Sequence, residues 1–313
     1  MKAVVFRAFG GNDVIEIQDV PKPAPRPDEV LIRVHAAGVN PVDWKVLAGQ
    51  AKMLTGSRFP KTLGIECSGV IVEAGSLVRK FKAGDAVIAN VGMGLGAYAE
   101  YVVVRGKTVF PKPETVAFAD AATLPIAGLT ALQALKDKGC IAPGRKVLIN
   151  GASGGVGTFA VQIAKILGAE VTAVCSAVNA GLLKGLGADH VIDYHEQDFT
   201  ATNERYDIIF DAVSSRSFGE CKKALTRHGV YVNTLPTPSI FWHLCTTTLL
   251  PGKKAATMMV SQRADDVAWI CEQLRTGRLK VVIDKVFPLD QVKDALAYSR
   301  TGRARGKIVL KVI

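Results

Sequence analysis

The clearest chemical signal in the sequence is Gly151-Ala152-Ser153-Gly154-Gly155-Val156-Gly157, where four of seven residues are glycine. The apolar run Lys146-Val147-Leu148-Ile149-Asn150 precedes it, and helical apolar spacing from Val156 to Leu167 follows. A strand therefore feeds the turn and a helix leaves it. Such a junction aims unpaired backbone N–H groups and the positive end of the helix dipole at one point, which suits a pyrophosphate. Gly154 and Gly155 let the backbone come close, and Gly157 lets the helix pack against the sheet. Ala152 stands in the first slot of the usual G-x-G-x-x-G, so the match is to a variant. No Gly-Lys-Ser/Thr follows, which disfavours a Walker-type loop. Gly151, Ser153, Gly154, Gly155, Val156 and Gly157 are the expected phosphate contacts of a dinucleotide, with a mere tight turn as the alternative.

The kind of dinucleotide is argued about twenty residues further on, where an NAD enzyme usually sets an acid against the ribose 2′-hydroxyl. Here the second strand ends Val174-Cys175-Ser176-Ala177-Val178-Asn179, with no carboxylate. That removes a repulsion against a 2′-phosphate, and Ser176, Asn179 and Tyr194 offer hydrogen-bond donors to one. NADPH is the expected cofactor, although no Arg or Lys follows before Lys184.

The elements around this turn fall into two kinds. The first third is β-rich, with alternation over Val30–Ala36 and short Val/Ile runs at Ser68–Ala74 and Asp85–Asn90, separated by Gly/Pro clusters. Helical spacing then covers Ala121–Leu135, ended by Gly139 and Pro143-Gly144. Beyond it, strands at 146–150, 170–175, 190–193, 206–211 and 229–233 alternate with helices at 156–167, 180–186 and 218–225. That alternation predicts an α/β chain: a compact β-barrel-like domain followed by a doubly wound parallel sheet. The closing stretch, Lys280–Ile313, holds short strands around a helix at Leu289–Arg300, and the residues leave open which sheet those strands join.

At 313 residues, 49% hydrophobic and 21% charged, the chain is long enough for two buried cores. The six cysteines stand singly, without a C-x-x-C pair, and read as buried apolar residues of a reducing compartment. The five histidines show no ligand spacing. Met1–Arg7 enters a strand pattern at once, so cytoplasm is the expected compartment. No apolar run reaches the ~20 residues of a spanning helix. The net charge of +11 is compatible with peripheral contact to an acidic lipid surface. Nucleic acid is not an expected partner, because the basic residues are scattered and no aromatic-interleaved basic stripe occurs.

The phrase Gly38-Val39-Asn40-Pro41-Val42-Asp43-Trp44-Lys45, taken with the β-rich start and the glycine turn, resembles the quinone oxidoreductase branch of the medium-chain dehydrogenase/reductase superfamily. The likeness is greatest to enone and quinone reductases of the chloroplast envelope type. Further matches are Leu63–Gly69, Leu124–Ala131 and the closing Gly306-Lys307-Ile308-Val309-Leu310, so the resemblance covers the whole chain. It implies a GroES-like β-barrel domain at 1–122 with 280–313, a Rossmann NADP-binding domain at 123–279, and a homodimer. In the superfamily's zinc enzymes a cysteine takes the slot of Asn40, and Gly-His-Glu takes the slot of Gly64-Ile65-Glu66. Asn40 and Ile65 cannot replace those ligands. Val91–Ala97 has no cysteine, so the structural zinc lobe is missing as well, and no metal is expected.

The chemistry this resemblance implies is hydride transfer from nicotinamide C4 to the β-carbon of an enone or to a quinone. The developing oxyanion then needs donors, and a proton must arrive. Lys45 is implied at the cofactor and substrate, with Asn40 and Asp43 as orienting groups beside it. Thr130 is an implied nicotinamide or phosphate contact, Leu235 an implied nicotinamide contact, and Tyr194 an adenine or 2′-phosphate contact. Each has a plainer alternative: a solvated lysine, structural hydrogen bonding, a helix start, or core filling. Phe241 and Trp242 suggest a substrate wall or a subunit contact. Two other functions stay open: a zinc-independent alcohol or carbonyl dehydrogenase, and a nucleotide-binding protein without turnover.

Overall fold

A computed structural model describes residues 1–235, 242–244, 246–247 and 251–313. The chain forms two compact units, one of Met1–Ile126, Gln262–Arg275 and Ile283–Ile313, the other of Ala127–Ser261 and Thr276–Val282.

The first unit opens with β1 (Lys2–Phe6), β2 (Ile15–Asp19) and the long β3 (Glu29–Val39), followed by the helices α1 (Pro41–Leu47) and α2 (Lys52–Thr55). Then come β4 (Lys61–Thr62), β5 (Glu66–Ala74), β6 (Ala86–Asn90), β7 (Tyr101–Arg105), β8 (Val109–Pro111) and α3 (Phe118–Ala121). β2, β1 and β4 form one small antiparallel sheet. β3 is the spine of the larger sheet, pairing antiparallel with both β5 and β7. Its inward residues Val30, Ile32, Val34, Ala37 and Val39 join Phe6, Leu63, Ile71 and Val87 in one closed core. That core is the β-barrel-like domain expected from the Val/Ile runs and Gly/Pro breaks.

A single helix was expected over Ala121–Leu135, but the chain makes a wide π-type turn at Leu124–Gly128, α4 (Leu129–Gln133) and a second π-type turn at Ala134–Lys138. Pro125, which has no N–H to bond back along a helix, lies in the first widened turn.

In the second unit β9 (Lys146–Asn150), α5 (Gly155–Ile166), β10 (Glu170–Cys175), α6 (Ala180–Gly185), β11 (His190–Asp193), β12 (Tyr206–Asp211), α7 (Phe218–Cys221), β13 (Leu225–Asn233) and β14 (Lys254–Thr257) follow in turn. The strands form a six-stranded parallel sheet in the order β11-β10-β9-β12-β13-β14. β9, β10 and β12 are buried almost end to end, as parallel strands covered on both faces must be. This is the doubly wound arrangement, with the glycine turn at the carboxyl end of its central strand. The helix expected over Phe218–Leu225 is shorter: α7 tightens into a 3₁₀ turn at Lys222–Ala224, and Leu225 already begins β13.

The chain then returns to the first unit with α8 (Ala264–Arg275), β15 (Ile283–Pro288), α9 (Val292–Arg300) and β16 (Lys307–Lys311). The sequence had placed 264–275 in the cofactor domain. The structure groups it with the barrel unit, where Val267, Ala268 and Cys271 of α8 line a cleft of about 480 Å³ with Phe110 and Pro113. β16 pairs antiparallel with β3, Val39 facing Ile308, so the closing strands extend the first unit's sheet to seven. Among the described residues no helix is long and apolar enough to cross a membrane.

Candidate active site

Asn40 is the residue at which β3 turns into α1, and Pro41 opens the helix with its fixed φ and missing N–H. Asp43, on the first turn, accepts the Asn40 backbone N–H at 2.7 Å and pins this corner. The two site residues are thus brought together, buried, at the end of the longest strand of the sheet. The Asn40 side chain is bound at both ends. Its Nδ2 donates to Glu66 Oε1 at 2.7 Å, and its Oδ1 accepts from Lys307 Nζ, also at 2.7 Å. Lys307 further donates to Glu66 Oε1 at 3.0 Å and to the Val39 carbonyl at 3.3 Å. The remaining Glu66 oxygen accepts the Ile126 N–H at 2.9 Å. Glu66 and Lys307 side chains are 0% and 4% exposed, so each charge depends on the other for compensation.

Burial pushes the Asp43 carboxyl up to about 7, although the Asn40 N–H and the Tyr98 hydroxyl favour its ionised form. Tyr98 is itself held well above its ordinary range, first by burial and then by Asp43. Cys67, next to Glu66, is pushed up to about 12 by burial, which leaves it an inert thiol. Lys45 lies on α1 but outside this network, its ammonium 5.5 Å from the centre of the Trp44 ring. In the sequence Glu66 and Lys307 stand only inside the matching phrases, with no role of their own, and Tyr98 carries no signal at all. The available signal was a lysine and a glutamate opening two mainly apolar strands.

This cluster does not fit a catalytic zinc. Lys307 takes the acceptor atoms of Asn40 and Glu66, and Ile65 is a buried hydrocarbon. Among the described residues no three His, Cys, Asp or Glu side chains are grouped to hold a metal ion.

In the second unit, Gly151 adopts φ +74° at the end of β9, and a Cβ there would meet Val213 Cγ1 at 2.4 Å. Gly154 is the N-cap of α5, and having no side chain it leaves the first amides of the helix uncovered. At Gly157 a Cβ would stand 2.3 Å from the Gly151 carbonyl oxygen and 2.6 Å from the Ala152 Cα, so the helix start packs directly on the turn. The turn thus combines bare backbone at Gly154 with close packing at Gly151 and Gly157, a shape into which the diphosphate of a dinucleotide would fit. Ser153 reaches over the turn to Asn179: Asn179 Nδ2 donates to Ser153 Oγ and Ser176 Oγ, both at 3.2 Å. Asn179 Oδ1 is buried without a hydrogen-bond partner among the described residues.

The remaining candidates are more scattered. Tyr194 follows β11, is 56% exposed and leans on His195, so core packing is not its role. Thr130 is buried within α4. Leu235, 39% exposed, has its N–H bonded to Asn233 Oδ1. Trp242 is 70% exposed, and Phe241 lies outside the described residues.

Comparison with known proteins agrees with both halves. Residues 26–114 match the alcohol dehydrogenase GroES-like domain, and residues 186–310 match the family described as zinc-binding dehydrogenase. The chain is 35% identical to the chloroplast envelope quinone oxidoreductase homolog of Arabidopsis thaliana, covering 99% of this chain and 98% of that one. It is 34% identical to the NADPH-dependent alkenal/one oxidoreductase of the same plant, covering 99% of this chain and 79% of that one. The structure of the quinone oxidoreductase from Coxiella burnetii superposes with a TM-score of 0.93 at 34% identity, covering 100% of this chain and 99% of the other. With relatives of this identity along the whole length, and with β16–β3–β5 and the glycine turn in place, the chain belongs to the medium-chain dehydrogenase/reductase superfamily, in its quinone oxidoreductase branch.

Proposed function

We propose that this protein is an NADPH-dependent reductase of quinones or α,β-unsaturated carbonyls that works without zinc. The observation that carries the reading is the opening of α5: its N-cap, Gly154, has no side chain over the first amides of the helix, and glycine at 151 and 157 lets the turn and the helix pack closely enough to offer them to a diphosphate. Relatives whose printed names are quinone oxidoreductase and NADPH-dependent alkenal/one oxidoreductase support the substrate class. When bound, NADPH supplies the hydride that the electron-poor carbon of the substrate accepts.

The chain's own residues then have three tasks. The first amides of α5 hold the diphosphate, while Ser176, Asn179 and Tyr194 receive the 2′-phosphate end, and Thr130 and Leu235 border the nicotinamide. Lys45 and Asn40 donate hydrogen bonds to the carbonyl oxygen as charge builds on it, in place of a Lewis acid. Asp43 holds the Asn40 backbone and so fixes the corner from which that donor projects. A homodimer and peripheral contact with acidic lipid belong to the same reading, supported by the family and by the +11 charge respectively.

The deciding experiment is a titration with NADPH and NADH followed by assays on alkenals, quinones and saturated aldehydes. The expected result is tighter binding of NADPH, turnover of enones or quinones, and an inert saturated aldehyde. Preferential turnover of the saturated aldehyde would establish the carbonyl dehydrogenase instead, and binding without any turnover would establish a nucleotide-binding protein.

A further inference from the structure

Three adjacent strands of the barrel sheet carry one buried polar line. Antiparallel pairing of Val39 with Ile308 sets Lys307 beside Asn40, and pairing of Ala37 with Cys67 sets Glu66 across from Gly38. Gly38 has no side chain, so the Glu66 carboxylate lies across β3 and reaches Asn40.

We propose that Lys307 and Glu66 are positioning residues that lock the Asn40 amide in one orientation and leave its second N–H as a fixed donor to the substrate carbonyl oxygen. The first half stands on geometry alone, and the second rests on the reductase reading above. An ammonium can only donate and a carboxylate can only accept, so Oδ1 must face Lys307 and Nδ2 must face Glu66. A flipped amide would set its NH2 group against the ammonium and its oxygen against the carboxylate. Of the two Nδ2 protons one is used by Glu66, and the other has no protein acceptor among the described residues.

A purely structural role explains the arrangement poorly. Burying an ion pair seldom gains stability over well-packed hydrocarbon, so a pair that holds both ends of one amide points to control of that amide. Donors that are already in place when charge develops are also the ones that lower a barrier.

The test uses Lys307→Met, the double variant Glu66→Met/Lys307→Met, and Asn40→Leu, each in the full chain. In protein labelled with 15N at asparagine, the Asn40 Nδ2 proton bonded to Glu66 should exchange slowly with solvent. Lys307→Met should speed that exchange, because Oδ1 loses its fixed donor and the amide can turn over, and an exchange rate unchanged in that variant would overturn the locking. The double variant removes both charges together, so it should fold, with NADPH affinity within about twofold of the parent. Its kcat should fall by roughly tenfold to a hundredfold, the loss typical of a misplaced oxyanion donor, with KM changing less. Added to Asn40→Leu, the double substitution should cost nothing more, because residues acting through one group are not additive. An unchanged kcat in the double variant, or a further full loss on top of Asn40→Leu, would refute positioning. Full kcat in Asn40→Leu itself would instead refute the assigned role of Asn40 in reduction, while the amide signals still report the lock.

Discussion

Gly38 and Glu66 occupy the same small volume: a Cβ on Gly38 would stand 2.2 Å from Glu66 Oε1 and 2.9 Å from the Ala122 carbonyl oxygen. Glycine is required here for the space above it, not for an unusual backbone angle. Gly38→Ala should therefore push the Glu66 carboxylate off Asn40 and Lys307, at a cost of about 1–3 kcal/mol typical of overpacking. Thermal unfolding would register this as a lower Tm, and the same substitution in a Glu66→Ala background should cost clearly less. Equal costs in the two backgrounds would show that the carboxylate is not what the methyl group meets.

The two glycines at the start of α5 should separate packing from binding. Gly157→Ala drives a methyl group into the Gly151 carbonyl, so both Tm and NADPH affinity should fall. At Gly154 a Cβ meets only the Gly151 oxygen, at 3.4 Å, and φ is −81°, so Gly154→Ala should leave Tm nearly unchanged. Its NADPH Kd should still rise about tenfold if phosphate lies against the bare backbone. Calorimetry and fluorescence titration of both variants check this, and an unaltered Kd in Gly154→Ala would mean that the diphosphate sits elsewhere.

Stability should carry the mark of Asp43. Its carboxyl titrates near 7 in the fold against 3.8 in the open chain, so the folded state holds the extra proton. The group's contribution is fully present below the unfolded value and is lost as pH rises through about 7. Asp43→Asn keeps an acceptor for the Asn40 N–H but cannot titrate. Between pH 5 and 8 its Tm should decline less than that of the parent protein, and parallel curves would contradict the raised carboxyl.

Cys140 adopts φ +50° at an exposed position after the second π-type turn. A left-handed angle favours glycine, so Cys140→Gly should stabilise the chain by about 1 kcal/mol. The other described cysteines are buried, and of these Cys67, Cys175, Cys221 and Cys271 are all pushed up to about 11 or 12 chiefly by burial. The variant should accordingly lose the fastest-reacting thiol in a dithiobis-nitrobenzoate assay. A lower Tm would show that the side chain relieves more strain than it causes.

The glycine turn was legible because its signals are local: an apolar strand, residues that permit close approach, and a helical period all lie within about twenty positions. β10, β11 and β12 were readable for the same reason, as Val/Ile runs bounded by turn residues. The helix Ala264–Arg275 was readable too, with Asp265 and Asp266 in its first turn, Arg275 in its last and Gly277 beyond, yet it went unread. The Lys307–Glu66 pair was of another kind. The two residues stand 241 positions apart and meet only through the registers of β16 and β5 on β3. No local pattern carries those registers, so the groups that hold Asn40 could be found only in three dimensions. Ser153, Ser176 and Asn179 were proposed separately from the residues, and their mutual hydrogen bonds needed the β10 register on β9.

The pairing of β16 with β3 also bears on the order of folding. Lys307 and Asn40 are 267 positions apart, and bringing them together from a disordered chain would close a loop whose entropy cost grows with its length. Collapse of Ala127–Ser261 into its own parallel sheet first would shorten the free chain left to close. Amides of β9–β13 should then gain hydrogen-exchange protection before those that join β16 to β3, so the barrel sheet acquires its final neighbour late.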